Sequence, residues 1–198
     1  VDDAEQGGMP IIELMNSVGY DIVTLGNHEF DKGFDNLETM AQGSEFKWIC
    51  ANMQTANNEY PFERYTTYDI NGVKIGFIGI VDTDSNGYPL GKESIYDDLR
   101  FENDVECAAG LCEEIASDHD FIVVLSHMGL KMDLRFIERT KECDWVVGGH
   151  SHDLICEKHG NTQISQNNKN LRYVTVAKIT VCNNTITETE YEQIDMST

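Results

Sequence analysis

The chain has 198 residues, of which 40% are hydrophobic and 25% are charged, as in an ordinary globular domain. A chain of this length buries roughly 70% of its unfolded surface, so it needs no disulfide or metal to hold a core. Acidic residues number 35 against 14 basic ones, and the formal net charge is −21. That charge argues against a nucleic-acid partner, which needs a basic face, and against binding to an anionic membrane surface.

The spacing of apolar residues predicts helices and strands that alternate early in the chain, followed by hairpins. In chain order the predicted elements are a helix over 9–18, a strand over 21–25, a helix over 33–42, strands over 46–53, 65–70 and 73–81, a helix over 104–117, a strand over 121–126, a helix over 131–140, and strands over 145–147, 162–166, 173–181 and 185–193. Asn71-Gly72 is a strong signal for a tight hairpin turn. This order predicts an α/β sandwich with mixed sheets and not a purely parallel sheet.

The cysteines are predicted to be reduced and buried. No two of the six have the spacing of a Cys-x-x-Cys motif, and most lie in apolar surroundings, where a free thiol packs as a small hydrophobic group. Free thiols favour a cytoplasmic location. No apolar run approaches the roughly 20 residues that a membrane-spanning helix needs, so no membrane segment is expected.

Three of the predicted buried strands end in clusters of polar residues. Four of the six histidines fall in these clusters, which are Gly26-Asn27-His28-Glu29-Phe30-Asp31, Ser126-His127-Met128-Gly129 and Gly148-Gly149-His150-Ser151-His152-Asp153. Because the carboxyl ends of strands in an open α/β sheet converge on one crevice, these side chains should lie close together. Imidazole with carboxylate and amide oxygens suits a divalent ion such as Zn, Fe, Mn or Ni, with the oxygens favouring Mn. His119 and His159 lie in polar segments and are predicted to be solvated loop residues.

The same motifs, and their order, indicate a family. Gly-Asn-His-Glu, Ser-His-x-Gly and Gly-Gly-His-Ser-His stand at 26–29, 126–129 and 148–152, accompanied by matching segments at 15–21, 73–79 and 99–101. On these residues the chain resembles the calcineurin-like metallophosphoesterases, in particular the branch of 5′-nucleotidases and 2′,3′-cyclic phosphodiesterases. The resemblance implies an α/β fold of two mixed sheets flanked by helices. Many relatives of this kind are exported, which weighs against the location that the thiols favour.

The resemblance also implies a set of metal ligands. The family holds two divalent ions, which can be Mn, Zn, Fe or Mg. By resemblance, Asn27, His127 and His150 would bind one ion, His152 would bind the other, and Asp3 would bridge the two. The family's first motif, Asp-x-His, has no counterpart in this sequence. We therefore expect the ion at Asn27, His127 and His150 to be held and the second ion to be weak or missing.

The residues implied for catalysis are His28 and Asp31. A metal-activated hydroxide would attack phosphorus, His28 would protonate the leaving oxygen or stabilise the transition state, and Asp31 would orient the imidazole. Because a protein of net charge −21 repels a phosphate dianion, bound cations would have to supply the local attraction.

The expected organisation is a single metallophosphoesterase domain over 1–198, truncated at its N-terminus and lacking the family's C-terminal nucleotide-specificity domain. The expected function is metal-dependent hydrolysis of a small phosphate ester, most simply a phosphomonoester of the 5′-nucleotide type. The alternative is a catalytically impaired metal-binding relic or module, because one metal motif is missing.

Residues 82–93 have the ligand spacing of an EF-hand loop, but the preceding strand and Pro89 favour a polar surface loop over a calcium site.

Overall fold

The computed structural model describes residues 7–197 and confirms the α/β class. Its helices are α1 (Met9–Val18), α2 (Phe34–Gln42), α3 (Asp104–Ile115) and α4 (Leu130–Arg139). Its strands are β1 (Ile22–Thr24), β2 (Lys47–Ile49), β3 (Met53–Thr55), β4 (Tyr65–Ile70), β5 (Val73–Val81), β6 (Leu99–Phe101), β7 (Phe121–His127), β8 (Trp145–Gly148), β9 (Leu154–His159), β10 (Thr162–Asn167), β11 (Tyr173–Cys182) and β12 (Thr185–Asp195). Short 3₁₀ turns follow β1, precede β6 and follow α3.

The largest sheet has six strands in the order β4-β5-β7-β8-β10-β9. The four central strands are parallel, and the edge strands β4 and β9 are antiparallel to their neighbours. The helices α3 and α4 lie in the connections between the parallel strands, and they cover one face of this sheet. The core on that face includes Val124, Phe136 and Val146. The other face is covered by two smaller sheets, the parallel pair β1-β2 and the antiparallel hairpin β11-β12.

The helices α1 and α2 pack on the far side of β1, where Ile12, Leu37 and Met40 join Leu25 and Phe46 in a second apolar core. The layers are therefore helices, a six-stranded sheet, smaller sheets, and helices. This is the predicted sandwich, with separate two-stranded sheets in its second layer.

Gly79 sets how closely the two sheet layers approach. It lies on β5, and a Cβ added there would stand 2.3 Å from the carbonyl oxygen of Ile49 and 2.7 Å from the hydroxyl oxygen of Thr24. The backbone of β5 therefore touches the ends of β1 and β2 directly, which no residue with a side chain would permit. This contact brings the carboxyl end of β1 next to the carboxyl ends of the central strands.

One predicted strand is divided in the structure. Residues 46–53 form β2, then a break, then the start of β3. Within the break, the fully buried Asn52 donates from Nδ2 to the carbonyl of Val81 (2.8 Å) and accepts from the Val81 N–H at Oδ1 (3.1 Å). The side chain thus replaces a neighbouring strand for the end of β5, and the chain turns away to pair with β6.

Two strands were absent from the sequence prediction. β6 is only three residues long, and β9 is an edge strand with no buried residue, so neither shows the alternation that marks a strand. The prediction that His159 lies in a loop is therefore wrong, because it is the exposed last residue of β9.

The cysteines are free, as predicted, and four of them are buried: Cys50, Cys107, Cys112 and Cys143. Cys156 is half-buried and Cys182 is exposed on the hairpin, so burial does not extend to all six thiols. Among residues 7–197, no helix is long and apolar enough to cross a membrane.

Candidate metal and active site

Three polar side chains from different strand ends meet in the structure. His127 is the last residue of β7 and shares the side of the sheet that faces β1, Asn27 begins the turn after β1, and His150 follows β8. The Oδ1 atom of Asn27 lies 3.2 Å from Nε2 of His127 and 3.3 Å from Nδ1 of His150. The two imidazole rings are 5.1 Å apart and nearly perpendicular. The sequence prediction that these residues converge is therefore supported by the geometry.

Asn27 is held so that its oxygen faces the histidines. Its Nδ2 donates to the carbonyl of Leu90 (3.0 Å), and the N–H of Leu90 donates to Oδ2 of Asp82 (2.8 Å). Asp82 is buried, and burial raises the pKa of its carboxyl group, while the hydrogen bond from Leu90 opposes that rise. Because Nδ2 is occupied by a carbonyl, only the oxygen of the amide is left to face the site.

His127 is kept neutral by its position. Burial, and to a smaller extent the neighbouring His150, His28 and His152, lower the pKa of its imidazole to about 4. A histidine must be deprotonated before it can bind a metal, so a neutral imidazole at pH 7 is ready to act as a ligand. The last residues of β7 are also fixed: Ser126 donates to Asp133 (2.5 Å) and accepts from the N–H of Met128 (3.1 Å), on either side of His127.

The distance from Asn27 to each histidine suits a shared metal ion. Two ligands at right angles, each about 2.1 Å from an ion, lie about 3 Å from one another, which is close to the spacing observed between Asn27 and each histidine. Two imidazoles and one amide oxygen are neutral donors of intermediate hardness. Among residues 7–197, no three His, Cys, Asp or Glu side chains are grouped so that they could hold a metal, and the third donor proposed here is the amide of Asn27.

His152 lies near this group without joining it. Its side chain is exposed, and among residues 7–197 its effect on the group is electrostatic, through the pKa of His127. His150 and His152 both have left-handed backbone conformations, with φ of 70° and 59°. The other residue expected at the second ion, Asp3, lies outside the described residues.

His28 and Asp31 form a pair at the mouth of the site. Nδ1 of His28 lies 2.9 Å from Oδ2 of Asp31, within the 3₁₀ turn that Asn27 begins. The side chain of His28 is 75% exposed, so its other ring nitrogen can reach solvent or a bound molecule. A cavity of about 350 Å³ opens beside the pair, between Gly8, Lys32 and Met40.

The loop with EF-hand spacing has a different arrangement. Asp82 points inward to the N–H of Leu90, whereas Asp84 accepts from the N–H groups of Asn86 and Tyr88 within its own turn. Glu93 accepts from the side chain of Asn86 (3.1 Å). Asp82 therefore supports Asn27, and the rest of the loop satisfies its own turn.

The two remaining histidines lie apart from the site. His119 lies in a loop, as predicted, but it is half-buried and not fully solvated, with its ring nitrogens 2.9 Å from the carbonyl of Ile115 and 2.8 Å from the hydroxyl of Thr67. His159 is exposed at the far end of β9.

Sequence reasoning missed three buried polar residues that support the site, namely Asp82, Asp133 and Gln166. Asp82 directly follows the apolar strand β5, which is the same signal that identified the histidine clusters, but its EF-hand spacing drew another interpretation. Asp133 lies inside an amphipathic helix and Gln166 lies inside a strand, so no local pattern distinguishes either of them from a surface residue.

The chain was compared with known proteins. The calcineurin-like phosphoesterase family model matches residues 7–154. The chain is 31% identical over 169 residues to the trifunctional nucleotide phosphoesterase protein YfkN of Bacillus subtilis, covering 74% of this chain and 11% of that protein. It is 29% identical over 184 residues to the protein UshA of Yersinia enterocolitica, covering 85% of this chain and 32% of the relative. The chain therefore spans about a third or less of these curated relatives.

Solved structures show the same fold. A 5′-nucleotidase precursor from Thermus thermophilus superposes with a TM-score of 0.81 at 24% identity, covering 97% of this chain and 42% of that one. The calcineurin-like phosphoesterase YfkN from Bacillus subtilis superposes with a TM-score of 0.79 at 22% identity, covering 96% and 70%. Because the family model matches well over half of the residues, this chain belongs to the calcineurin-like phosphoesterase family.

Proposed function

We propose that this chain hydrolyses a small phosphate ester with the help of a divalent ion held by Asn27, His127 and His150. The observation that supports the proposal most strongly is the position of the Asn27 amide oxygen, which lies within 3.3 Å of an imidazole nitrogen of both His127 and His150. Membership of a phosphoesterase family supports the same reaction. The mixture of nitrogen and oxygen donors favours Mn over Mg, with Zn and Fe as further candidates.

The bound ion would lower the pKa of a coordinated water so that hydroxide is present near neutral pH, and would neutralise phosphate charge. The chain's own residues prepare this step. Asn27 supplies a neutral oxygen whose direction is set through Leu90, and the neutral imidazole of His127 supplies a lone pair without deprotonation at pH 7. We propose one well-held ion in this chain, with His152 and Asp3 available to a second, weaker one.

His28 is proposed as the residue that protonates the leaving oxygen or stabilises charge on it in the transition state. Asp31 accepts a hydrogen bond from Nδ1 of His28, so the other ring nitrogen of His28, Nε2, is left to face the substrate. A positioned acid of this kind contributes about 10²–10⁴-fold to a rate. Because the side chain of His28 is strongly exposed, it is accessible to a substrate that binds from solvent.

The substrate is proposed to be a phosphomonoester of the 5′-nucleotide type. Relatives of this chain are called 5′-nucleotidase, in Vibrio vulnificus, and trifunctional nucleotide phosphoesterase, in Bacillus subtilis. Because the chain spans only part of each, the residues that select a nucleoside base in those proteins need not be present here. The net charge of −21 supports a small phosphate over a nucleic-acid polymer.

The proposal is tested by hydrolysis of p-nitrophenyl phosphate and of a nucleoside 5′-monophosphate with added Mn²⁺. We expect turnover that depends on Mn²⁺ and falls at least about 10²-fold in His127→Ala, because that variant lacks one of three ligands. His159→Ala is the matched control, since this histidine is exposed on an edge strand away from the site. Metal binding by the wild type without turnover of any phosphate ester would favour the metal-binding module instead.

A further inference from the structure

The loop from Gly149 to Asp153 presents His150 to the candidate metal site in an unfavourable backbone conformation. Both His150 and His152 adopt left-handed φ angles, 70° and 59°, which are uncommon for residues other than glycine. Such conformations are energetically unfavourable and persist only when surrounding contacts determine them. Something outside the loop must therefore hold it.

The side chain of Gln166 makes that contact. Its Oε1 accepts a hydrogen bond from the backbone N–H of Asp153 (2.5 Å), and its Nε2 donates to the carbonyl of Gly149 (2.9 Å). The same Oε1 lies 3.2 Å from the hydroxyl of Ser151, which also donates to Oδ2 of Asp153 (2.7 Å). One amide group therefore contacts the loop before, between and after its two histidines. An amide offers both a donor and an acceptor in one plane. A carboxylate of the same size only accepts, and an alkyl side chain does neither.

Gln166 is itself held firmly. It lies on β10, its side chain is 2% exposed, and its backbone carbonyl accepts from Nε2 of Gln193 (3.1 Å) on β12. Its amide nitrogen would stand 3.2 Å from a Cβ at Gly148, so the absence of a side chain at that position leaves room for it. A rigid, buried strand thus supports a strained loop.

We propose that Gln166 is a positioning residue for metal binding: it holds the loop of residues 149–153 in the conformation that directs His150 toward Asn27 and His127. The inference rests on the proposed function, because it assigns Gln166 a role in the affinity for the ion. Residues that orient metal ligands typically contribute 10–100-fold to metal affinity. Gln166 touches neither the ion nor the substrate, so its effect should appear in metal affinity and not in the chemical step.

The test uses Gln166→Met in the full chain, because Met fills a similar volume but forms no hydrogen bond to Gly149, Ser151 or Asp153. Gln163→Met is the matched control: Gln163 is also a buried glutamine of β10, but its side chain contacts Cys156 and its own strand. If Gln166→Met does not fold, Gln166→Asn, which keeps the amide but shortens its reach, replaces it. Calorimetric Mn²⁺ titration and hydrogen exchange of the metal-free protein are the two measurements.

We expect Gln166→Met to weaken Mn²⁺ binding by about 10-fold or more and to accelerate exchange of the Asp153 amide, with Gln163→Met matching the wild type in both. The Mn²⁺ concentration for half-maximal activity should rise, while kcat at saturating Mn²⁺ stays within about twofold. Unchanged Mn²⁺ affinity in Gln166→Met, or equal losses in Gln163→Met, would overturn the proposal.

The metal-free measurement separates this inference from the proposed function. If the wild type binds no Mn²⁺, the proposed function fails. The positioning role would then depend on exchange alone: faster exchange of Asp153 in Gln166→Met, but not in Gln163→Met, would support control of the loop by Gln166. Unchanged exchange would overturn that control as well.

Discussion

At the scale of single residues, burial and hydrogen bonding determine the protonation state and the orientation of the side chains in the site. His127 is neutral because it is buried, and the oxygen of Asn27 faces inward because Leu90 occupies its nitrogen. Asp133 is fully buried, accepts a hydrogen bond from Ser126 next to His127, and has one oxygen, Oδ2, without a hydrogen-bond partner. Burial and these hydrogen bonds therefore determine which atoms face the site.

The role of His28 predicts a substrate-dependent effect of its removal. His28→Ala should lower kcat for a nucleoside 5′-monophosphate by about 10²-fold or more, because the leaving alkoxide needs a proton. The loss for p-nitrophenyl phosphate should be much smaller, since p-nitrophenolate leaves without protonation. Steady-state kinetics at saturating Mn²⁺ measure both, with His159→Ala as the control. Equal losses on the two substrates would argue against an acid role for His28.

Asp133 predicts a pH-dependent stability. Burial raises the pKa of its carboxyl group from 3.8 to about 7, above the value in the unfolded chain. The neutral carboxyl therefore favours the folded state at low pH, and that contribution is lost as pH rises through about 4 to 7.

Asp133→Asn removes this titration and keeps an acceptor for the hydroxyl of Ser126. Relative to the wild type, we expect its free energy of unfolding to increase by about 2–4 kcal/mol between pH 4 and pH 8. Urea denaturation at several pH values measures the difference. A constant difference across this range would contradict the buried, neutral state of Asp133.

At the scale of elements, the site forms because the carboxyl ends of β1, β7 and β8 meet. Apolar strands followed by Gly and His made this meeting predictable, and the family resemblance selected Asn27, His127 and His150 among the residues at these strand ends. Asp133 and Gln166 could not be found in this way, because their roles come from contacts across 7 and 13 or more residues of chain and not from a local pattern. The break after β2 was hidden for the same reason, since Asn52 hydrogen-bonds to Val81, 29 residues away.

The close approach of β5 to β2 predicts a large effect of one methyl group. Gly79→Ala should destabilise the protein by about 1–3 kcal/mol, because its Cβ would stand 2.3 Å from the carbonyl oxygen of Ile49. Gly110→Ala is the control: it lies exposed in α3 with nothing within 4 Å of an added Cβ, and alanine should stabilise that helix by up to about 1 kcal/mol. Thermal unfolding of both variants checks the opposite signs. Loss of Mn²⁺ affinity should accompany Gly79→Ala alone, and its absence would show that the layer spacing does not support the site.

At the scale of the whole molecule, the net charge of −21 opposes the approach of a phosphate dianion. The long-range repulsion is screened by salt, whereas attraction to a bound ion acts at short distance. The value of kcat/KM for a phosphomonoester at saturating Mn²⁺ should therefore rise as ionic strength increases from about 20 to about 200 mM. Bis(p-nitrophenyl) phosphate, which has a single negative charge, should show a smaller rise. A fall of kcat/KM with salt for the monoester would indicate an attractive field at the site mouth.

The proposed chemistry requires that Asn27, His127 and His150 together bind a divalent ion. Anomalous scattering from crystals of the full chain soaked in Mn²⁺ tests it directly. We predict a Mn²⁺ peak about 2.0–2.3 Å from Oδ1 of Asn27, Nε2 of His127 and Nδ1 of His150. A protein that is fully active at that Mn²⁺ concentration, with no peak among these three atoms or with the ion held by other residues, would contradict the account.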